Sequence, residues 1–260
     1  MTFDEMALLG LGYACFVVAW LLYIVHLVRR SDYLGRLATY TQTGGALLWA
    51  AGYIWRMAGR GDWPVFHVRH VCLLLALMCV IVSLSWERLY HTRASSPFVL
   101  LVALALGGYA LFAPSNAAGF PQIAEPAFRN LWFLLYFVLA AVGYAMFLVN
   151  GALSVLDLIR PLLMRWDLDH GLPSDEAVGT MSRQTIGWAL VALTVALAAG
   201  AWWSWLATGL YWHWRAGEVW MLTLWAAYTA LLHLGHFRWW SVVSAAGMGL
   251  VCLAIGSLGM

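Results

Sequence analysis

Residues 131–155 read LWFLLYFVLAAVGYAMFLVNGALSV. No side chain in this stretch carries charge, and its apolar residues run on continuously instead of alternating with polar ones. A hydrocarbon core about 30 Å thick takes about 20 such residues as a helix, whereas a membrane strand would alternate. Extended by Asn130, the stretch is a transmembrane helix. Seven further runs of the same kind lie at about 7–28, 38–57, 68–88, 97–113, 185–206, 217–236 and 239–258. The predicted fold is therefore all-α, a polytopic membrane helix bundle of about eight transmembrane helices. It forms a single integral-membrane domain over 1–260.

Composition supports this. Of 260 residues, 63% are hydrophobic and 10% charged, against about 45–50% and about 25% in soluble domains. So few charges cannot surface a soluble fold, which excludes a soluble enzyme, a nucleic-acid binder and a disordered regulator. All 14 basic residues are arginine, which excludes Schiff-base chemistry on lysine. Cys15, Cys72, Cys79 and Cys252 lie inside apolar runs with no C-x-x-C spacing, so they read as small buried hydrophobes. The first run is too long for the core of a cleavable signal peptide.

The seven prolines fall between runs or at the first position of one, where a missing N–H does no harm. The polar stretch 159–184 reads as a loop. Glu87 and Asp157, near helix ends, read as solvated. Loop arginines give the orientation. Arg29, Arg30, Arg36, Arg88, Arg93, Arg160, Arg165, Arg183 and Arg238 fall on one side; Arg56, Arg60, Arg69, Arg129 and Arg215 fall on the other. The nine-arginine side is expected to be cytoplasmic, with both termini outside. This places the chain as a multi-pass protein of a bacterial inner (cytoplasmic) membrane.

Ionisable side chains at membrane depth are functional candidates. His26 lies near the inner end of the first helix. His233 and His236 lie near the inner end of the seventh, one turn apart on one face. His67 and His70 open the third helix on the outer side, and His213 sits in the outer loop before the seventh. His91 and His170 belong to cytoplasmic loops. Imidazoles on facing helices suit haem iron, which takes two axial nitrogens within an apolar slot. Headgroup, water or carbonyl bonding is the plainer role for any one of them.

Tryptophan is the second signal. There are 17, and Trp202, Trp203, Trp205, Trp212, Trp214, Trp220 and Trp225 crowd one outer loop and its flanks. An interfacial belt accounts for single tryptophans at helix ends. It does not account for Tyr211-Trp212-His213-Trp214 followed by Glu218 and Trp220. A flat aromatic shelf there would suit a large planar ligand.

The stretch Gly209-Leu210-Tyr211-Trp212-His213-Trp214-Arg215-Ala216-Gly217-Glu218-Val219-Trp220, with Trp225 and His233, resembles the tryptophan-rich motif of the CcsA-type cytochrome c assembly proteins, including short HemX-like members. Ser182-Arg183-Gln184-Thr185-Ile186-Gly187, Thr194, Gly200-Ala201, Asn130-Leu131-Trp132-Phe133, Gly143-Tyr144 and Gly61-Asp62-Trp63-Pro64 extend the likeness. The resemblance implies a CcsA-like domain with its motif, over 202–220, outside, and haem handling at the outer face. It also implies a transmembrane haem-ligating histidine at His233, or at His236 under a shifted register. The motif Asp-Pro is Arg215-Ala216 here. Tyr136 stands where the family's first external histidine is expected, and the second would lie beyond Met260.

Three functions follow, in order. The first is a haem-binding assembly factor working with a membrane partner subunit or a c-type cytochrome, without conventional catalytic residues. The second is a b-type cytochrome subunit carrying electrons across the membrane. In it, His26 and His233 hold an inner haem b, and His67 or His70 with His213 holds an outer one. The third is a haem-free scaffold or regulator whose aromatic shelf is structural. The Trp212, Trp214 and Trp220 shelf is expected to lie against the start of the third helix, with His70 approaching His213.

Overall fold

The computed structural model describes residues 3–60, 68–112, 130–165, 172–234 and 240–257. These residues form eight helices and no strand: α1 (Phe3–Arg29), α2 (Asp32–Arg60), α3 (Val68–Tyr90), α4 (Ser96–Phe112), α5 (Leu131–Arg165), α6 (Asp175–Thr208), α7 (Ala216–His233) and α8 (Trp240–Ser257). The chain is a polytopic helical membrane bundle. By length and composition α1, α3, α5 and α6 are each long and apolar enough to cross a bilayer, and α4 and α8 are shorter apolar helices.

Short turns fold the chain into helix pairs, α1 on α2, α3 on α4 and α5 on α6. α3 is the central helix, touching α2, α4, α5 and α8, and its span is 67% buried against 28% for α1. α7 leans on α6 and α8. Trp49, Tyr23, Phe16 and Phe147 are among the largest fully buried side chains. The Trp49 indole donates to the Leu73 carbonyl at 3.1 Å, which ties α2 to α3 with the ring's one polar atom satisfied.

The polar stretch 159–184 corrects the sequence reading, because most of it is helical. α5 continues through Pro161 to Arg165, and α6 begins at Asp175. Ser174 caps α6 by accepting from Ala177 N, and Asp175 and Glu176 fill its first turn, where negative charge suits the helix dipole. Arg160 then binds across the gap, with Nε 2.9 Å from Asp175 and an Nη donating to the Pro173 carbonyl at 2.8 Å. At 1.5 Å per residue, helices of 35 and 34 residues are about 50 Å long and overrun a core of about 30 Å. The end of α5 and the start of α6, which meet at the turn between them, are the polar parts and account for the excess length.

Close packing of α5 on α6 explains two glycines. A Cβ at Gly143 would sit 2.7 Å from Leu193 Cγ, and one at Gly200 would sit 2.8 Å from the Tyr136 ring. Only glycine admits these approaches without displacing the neighbour.

Candidate functional site

Two ends of the bundle carry the chemistry. At the tryptophan-rich end, α6 stops where Gly209 enters the left-handed region, φ 78°, and its N–H bonds Trp205 O at 2.8 Å. The chain then crosses to α7 as an ordered loop. Glu218, in the first turn of α7, reaches back to accept from His213 N at 2.9 Å and Arg215 N at 3.3 Å. One carboxylate thus caps the helix and holds the loop. Trp214 between these donors has φ 57°. At the far side of the helix pair, Trp225 Nε1 donates to Thr194 Oγ1 at 2.9 Å and locks α7 to α6.

His213 lies in this frame with both ring nitrogens occupied. The Thr208 hydroxyl gives its proton to Ser204 O at 2.8 Å, so it accepts from His213 Nε2–H at 3.0 Å. Nδ1 then accepts from Ser204 Oγ at 3.0 Å. Both ring nitrogens are thus engaged within the chain, and His213 braces the loop.

Under the loop lies a cavity of about 40 Å³ lined by Tyr136, Gly200, Trp203, Tyr211, Trp212 and Glu218 among others. It has room for a water, not for a ligand of the usual about 300–1,000 Å³. Trp212 Nε1 is buried with no hydrogen-bond partner among the described residues, a donor suited to such a water. Trp212 and Trp214 cross at 81° and form no flat shelf. Trp220 is half-buried and packs on the core. The exposed aromatic surface is a ribbon of other rings. Trp132 meets Trp202 at 6.2 Å, Trp202 meets Trp205 at 5.2 Å, and Trp205 stacks on Tyr211 at 5.8 Å and 10°.

The opposite, arginine-rich end holds a buried polar network that corrects the solvated reading of Glu87. Glu87 is 7% exposed. Its carboxylate accepts from Tyr23 at 2.8 Å, from Thr39, and from Arg93 Nε at 2.8 Å. Tyr23 also touches Gln42 Oε1 at 2.9 Å. Burial of a carboxylate is tolerated because these donors replace water. Asp157 is likewise engaged, accepting from Ser241 and lying 3.8 Å from Arg160.

Beside the network opens a cleft of about 530 Å³, lined by His26, Arg30, Asp32, His91, Arg93 and Met181 among others. The α1–α2 turn wraps His26. Arg30, φ 56°, donates its N–H to His26 O at 2.8 Å, and the His26 ring meets Ser31 O at 2.9 Å through Nδ1. A carbonyl only accepts, so Nδ1 carries the proton and the neutral ring keeps its lone pair on Nε2. His233 has the same setting, with Nδ1 2.8 Å from Thr229 O at the end of α7. Metal-ligating histidines are typically held this way.

The histidines expected to pair sit on the following elements. His26 is on α1, which packs on α2 and α4, while His233 is on α7, which packs on α6 and α8. His70 is buried in α3, whose neighbours are α2, α4, α5 and α8, whereas His213 lies on the α6–α7 side. Neither pairing puts two imidazoles on helices packed along each other. His67, His236, His170 and the stretch 61–64 lie outside the described residues. Two things were not legible in sequence, the Glu87 network and the sharing of one cleft by His26 and His91. Only the arginine count at that end hinted at either.

The donors fit haem unequally. At the tryptophan-rich end the His213 nitrogens are both engaged, and the cavity of about 40 Å³ under the loop is smaller than a porphyrin. His233 has the right tautomer at a helix end, and His26 has it inside a cleft of suitable volume.

The model of a family described as cytochrome C assembly protein matches residues 65–260. The cytochrome c biogenesis protein CcsA of Synechococcus sp. strain CC9605 is 27% identical over 246 residues, covering 82% of this chain and 80% of that one. That of strain CC9311 is 26% identical over 291 residues, covering 97% and 95%. Among solved structures, the cytochrome c haem lyase CcmF superposes with a TM-score of 0.70 at 18% identity, covering 98% of this chain. This chain spans 47% of the lyase's length, and the likeness is one of fold.

Proposed function

Because the chain belongs to the cytochrome c assembly protein family, we propose that it is a multi-pass membrane protein that handles haem during cytochrome c biogenesis. The observation that carries this reading is the tautomer of His233, on the helix that follows the tryptophan-rich loop. Its Nδ1–H is spent on Thr229 O, which leaves Nε2 as the ligating atom. Haem is the cargo, held through its iron by an imidazole and through its ring face by apolar and aromatic side chains. The Trp132–Trp202–Trp205–Tyr211 ribbon is the surface over which a porphyrin or a haem-accepting polypeptide lies. Tyr136 and Trp212 sit beneath it.

In this reading the tryptophan-rich end and both termini face outward, the arginine-rich end faces the cytoplasm, and the membrane is a bacterial inner membrane. The haem is b-type while bound, at one site or two. The partners are a membrane subunit and a c-type cytochrome. Electron transfer through an outer bis-histidine haem draws no support from His213, whose nitrogens are both engaged.

The test is the visible spectrum of the purified protein, oxidised and then reduced, with haem counted per chain. We expect bound haem, with His233→Ala lowering the content by at least half while the protein still inserts. A wild-type protein that stays haem-free when purified from haem-replete cells and binds no added haemin overturns the reading.

A further inference from the structure

We propose that α5, α6, α7 and α8 enclose a site for bound water inside the bundle, held by Asn150, Tyr228 and Ser244. Such a site stands whether or not the chain handles haem.

Three buried side chains define it. Asn150 of α5 and Ser244 of α8 are 0% exposed, and Tyr228 of α7 is 2% exposed. Among the described residues Asn150 Nδ2, Tyr228 Oη and Ser244 Oγ meet no hydrogen-bond partner. Native interiors rarely leave such atoms unanswered, least of all at membrane depth, where lipid offers no partner. A buried water makes about 3 hydrogen bonds, commonly to groups of this kind.

Helix register brings the three together. Ser241 of α8 donates to Asp157 of α5. Further along, a Cβ on Gly151 would lie 2.6 Å from Met248 Cβ. α8 thus runs antiparallel to α5, and Ser244 falls between these two contacts, level with Ser154 and one turn from Asn150. Tyr228 enters from α7. Its ring stacks on Phe147 at 3.7 Å and 8°, and its hydroxyl lies against Gly247, where any Cβ would strike it.

The Tyr228 hydroxyl and the Asn150 side chain are neighbours but do not meet at bonding geometry, the kind of gap a water bridges. Ser182 of α6 takes the other end of the amide by donating to Asn150 Oδ1. Turning the amide exchanges its oxygen and nitrogen and leaves the gap. Ser154 is already spent, donating to Asn150 O on its own helix at 2.9 Å.

The ligand set selects the occupant. Two hydroxyls and an amide are neutral, with no carboxylate for a cation and no basic group for an anion. Water both donates and accepts, as this set requires. Supply is near, since Asp157, less than one turn beyond Ser154, has a side chain 31% exposed.

The experiment uses the full chain in lipid nanodiscs. X-ray radiolysis makes hydroxyl radicals from bound water in place, and these mark the side chains beside it. We expect Tyr228, and Phe147 stacked on it, to be oxidised about 5-fold faster than Trp49, a fully buried ring in the α2–α3 contact. In Ser244→Ala that excess should disappear. Tyr228→Phe and Ser244→Ala each delete one oxygen and keep the helix packing. Each should lower the melting temperature by about 2–4 °C, and the pair by less than the sum, because either change already loosens the water. In a dry site the sign reverses, since deleting an unpaired buried hydroxyl removes a desolvation cost.

Three results would overturn the site. One is labelling of Tyr228 and Phe147 no faster than that of Trp49. Another is labelling unchanged in Ser244→Ala. The third is a melting temperature raised by both substitutions.

Discussion

The Tyr23 hydroxyl donates to Glu87 Oε2 at 2.8 Å, which joins the end of α1 to the end of α3 inside the bundle. Thr39 from α2 and Arg93 from the α3–α4 turn complete the carboxylate's shell. Four segments thus converge on one side chain. Glu87→Ala strands two hydroxyls and a guanidinium and is expected to cost about 2–4 kcal/mol. The partial exposure of Arg93 keeps the loss from the top of the usual range. Glu87→Gln still offers an acceptor oxygen and should cost about half as much. Thermal unfolding in detergent measures both, and equal losses for Ala and Gln would mean that the oxygen acceptors are not what holds the network.

His213 tests the distinction between a brace and a ligand. His213→Ala removes two hydrogen bonds between the loop and the end of α6, for about 1–2 kcal/mol of local stability. Limited proteolysis should then cut 208–215 faster than in the parent. The haem spectrum should not move, because neither nitrogen was available to iron. Loss of a low-spin haem signal in this variant would return His213 to the ligand set.

Gly200 and Tyr136 should behave as one unit. Gly200→Ala places a methyl 2.8 Å from Tyr136 Cδ2 and drives the ring toward the small cavity, an overpacking that costs about 1–3 kcal/mol. Helix propensity returns about 0.5–1 kcal/mol of that. Tyr136→Ala alone also destabilises, but combined with Gly200→Ala the clash is gone, so the double variant should be more stable than the sum of the singles. Additive melting shifts would show that the two do not touch.

The helices were legible because bilayer thickness imposes one simple rule on sequence. The apolar runs at 68–88 and 97–113 differ by no more than two residues at either end from α3 and α4. The rule fails where a helix leaves the membrane. There apolar content stops signalling helix, and 159–184 looked like loop although Ser174, Asp175 and Glu176 carry an N-terminal signature. Proline misled in the same place, since Pro161 sits inside α5.

The site was less legible for a different reason. Tyr23 and Glu87 are 64 residues apart, and only the packing of α1 and α2 against α3 brings them together. The inner pairing of His26 with His233 assumed that equal depth means adjacency. Depth follows from sequence position along each helix, whereas adjacency follows from which helices touch. Ring tautomers were equally hidden. Ser31 O and Thr229 O fix them by backbone geometry that no side-chain pattern announces.

Trp214 bears on the history of the chain. Its left-handed backbone, φ 57°, costs an L-residue about 1–2 kcal/mol that glycine would not incur, and its indole is 72% exposed. Glycine or asparagine would serve the fold better at this position. A bulky ring at an awkward backbone position, facing outward, adds surface for an encounter and nothing to folding. The 209–215 crossing is therefore the part of this protein in which adaptation to a partner should be sought first.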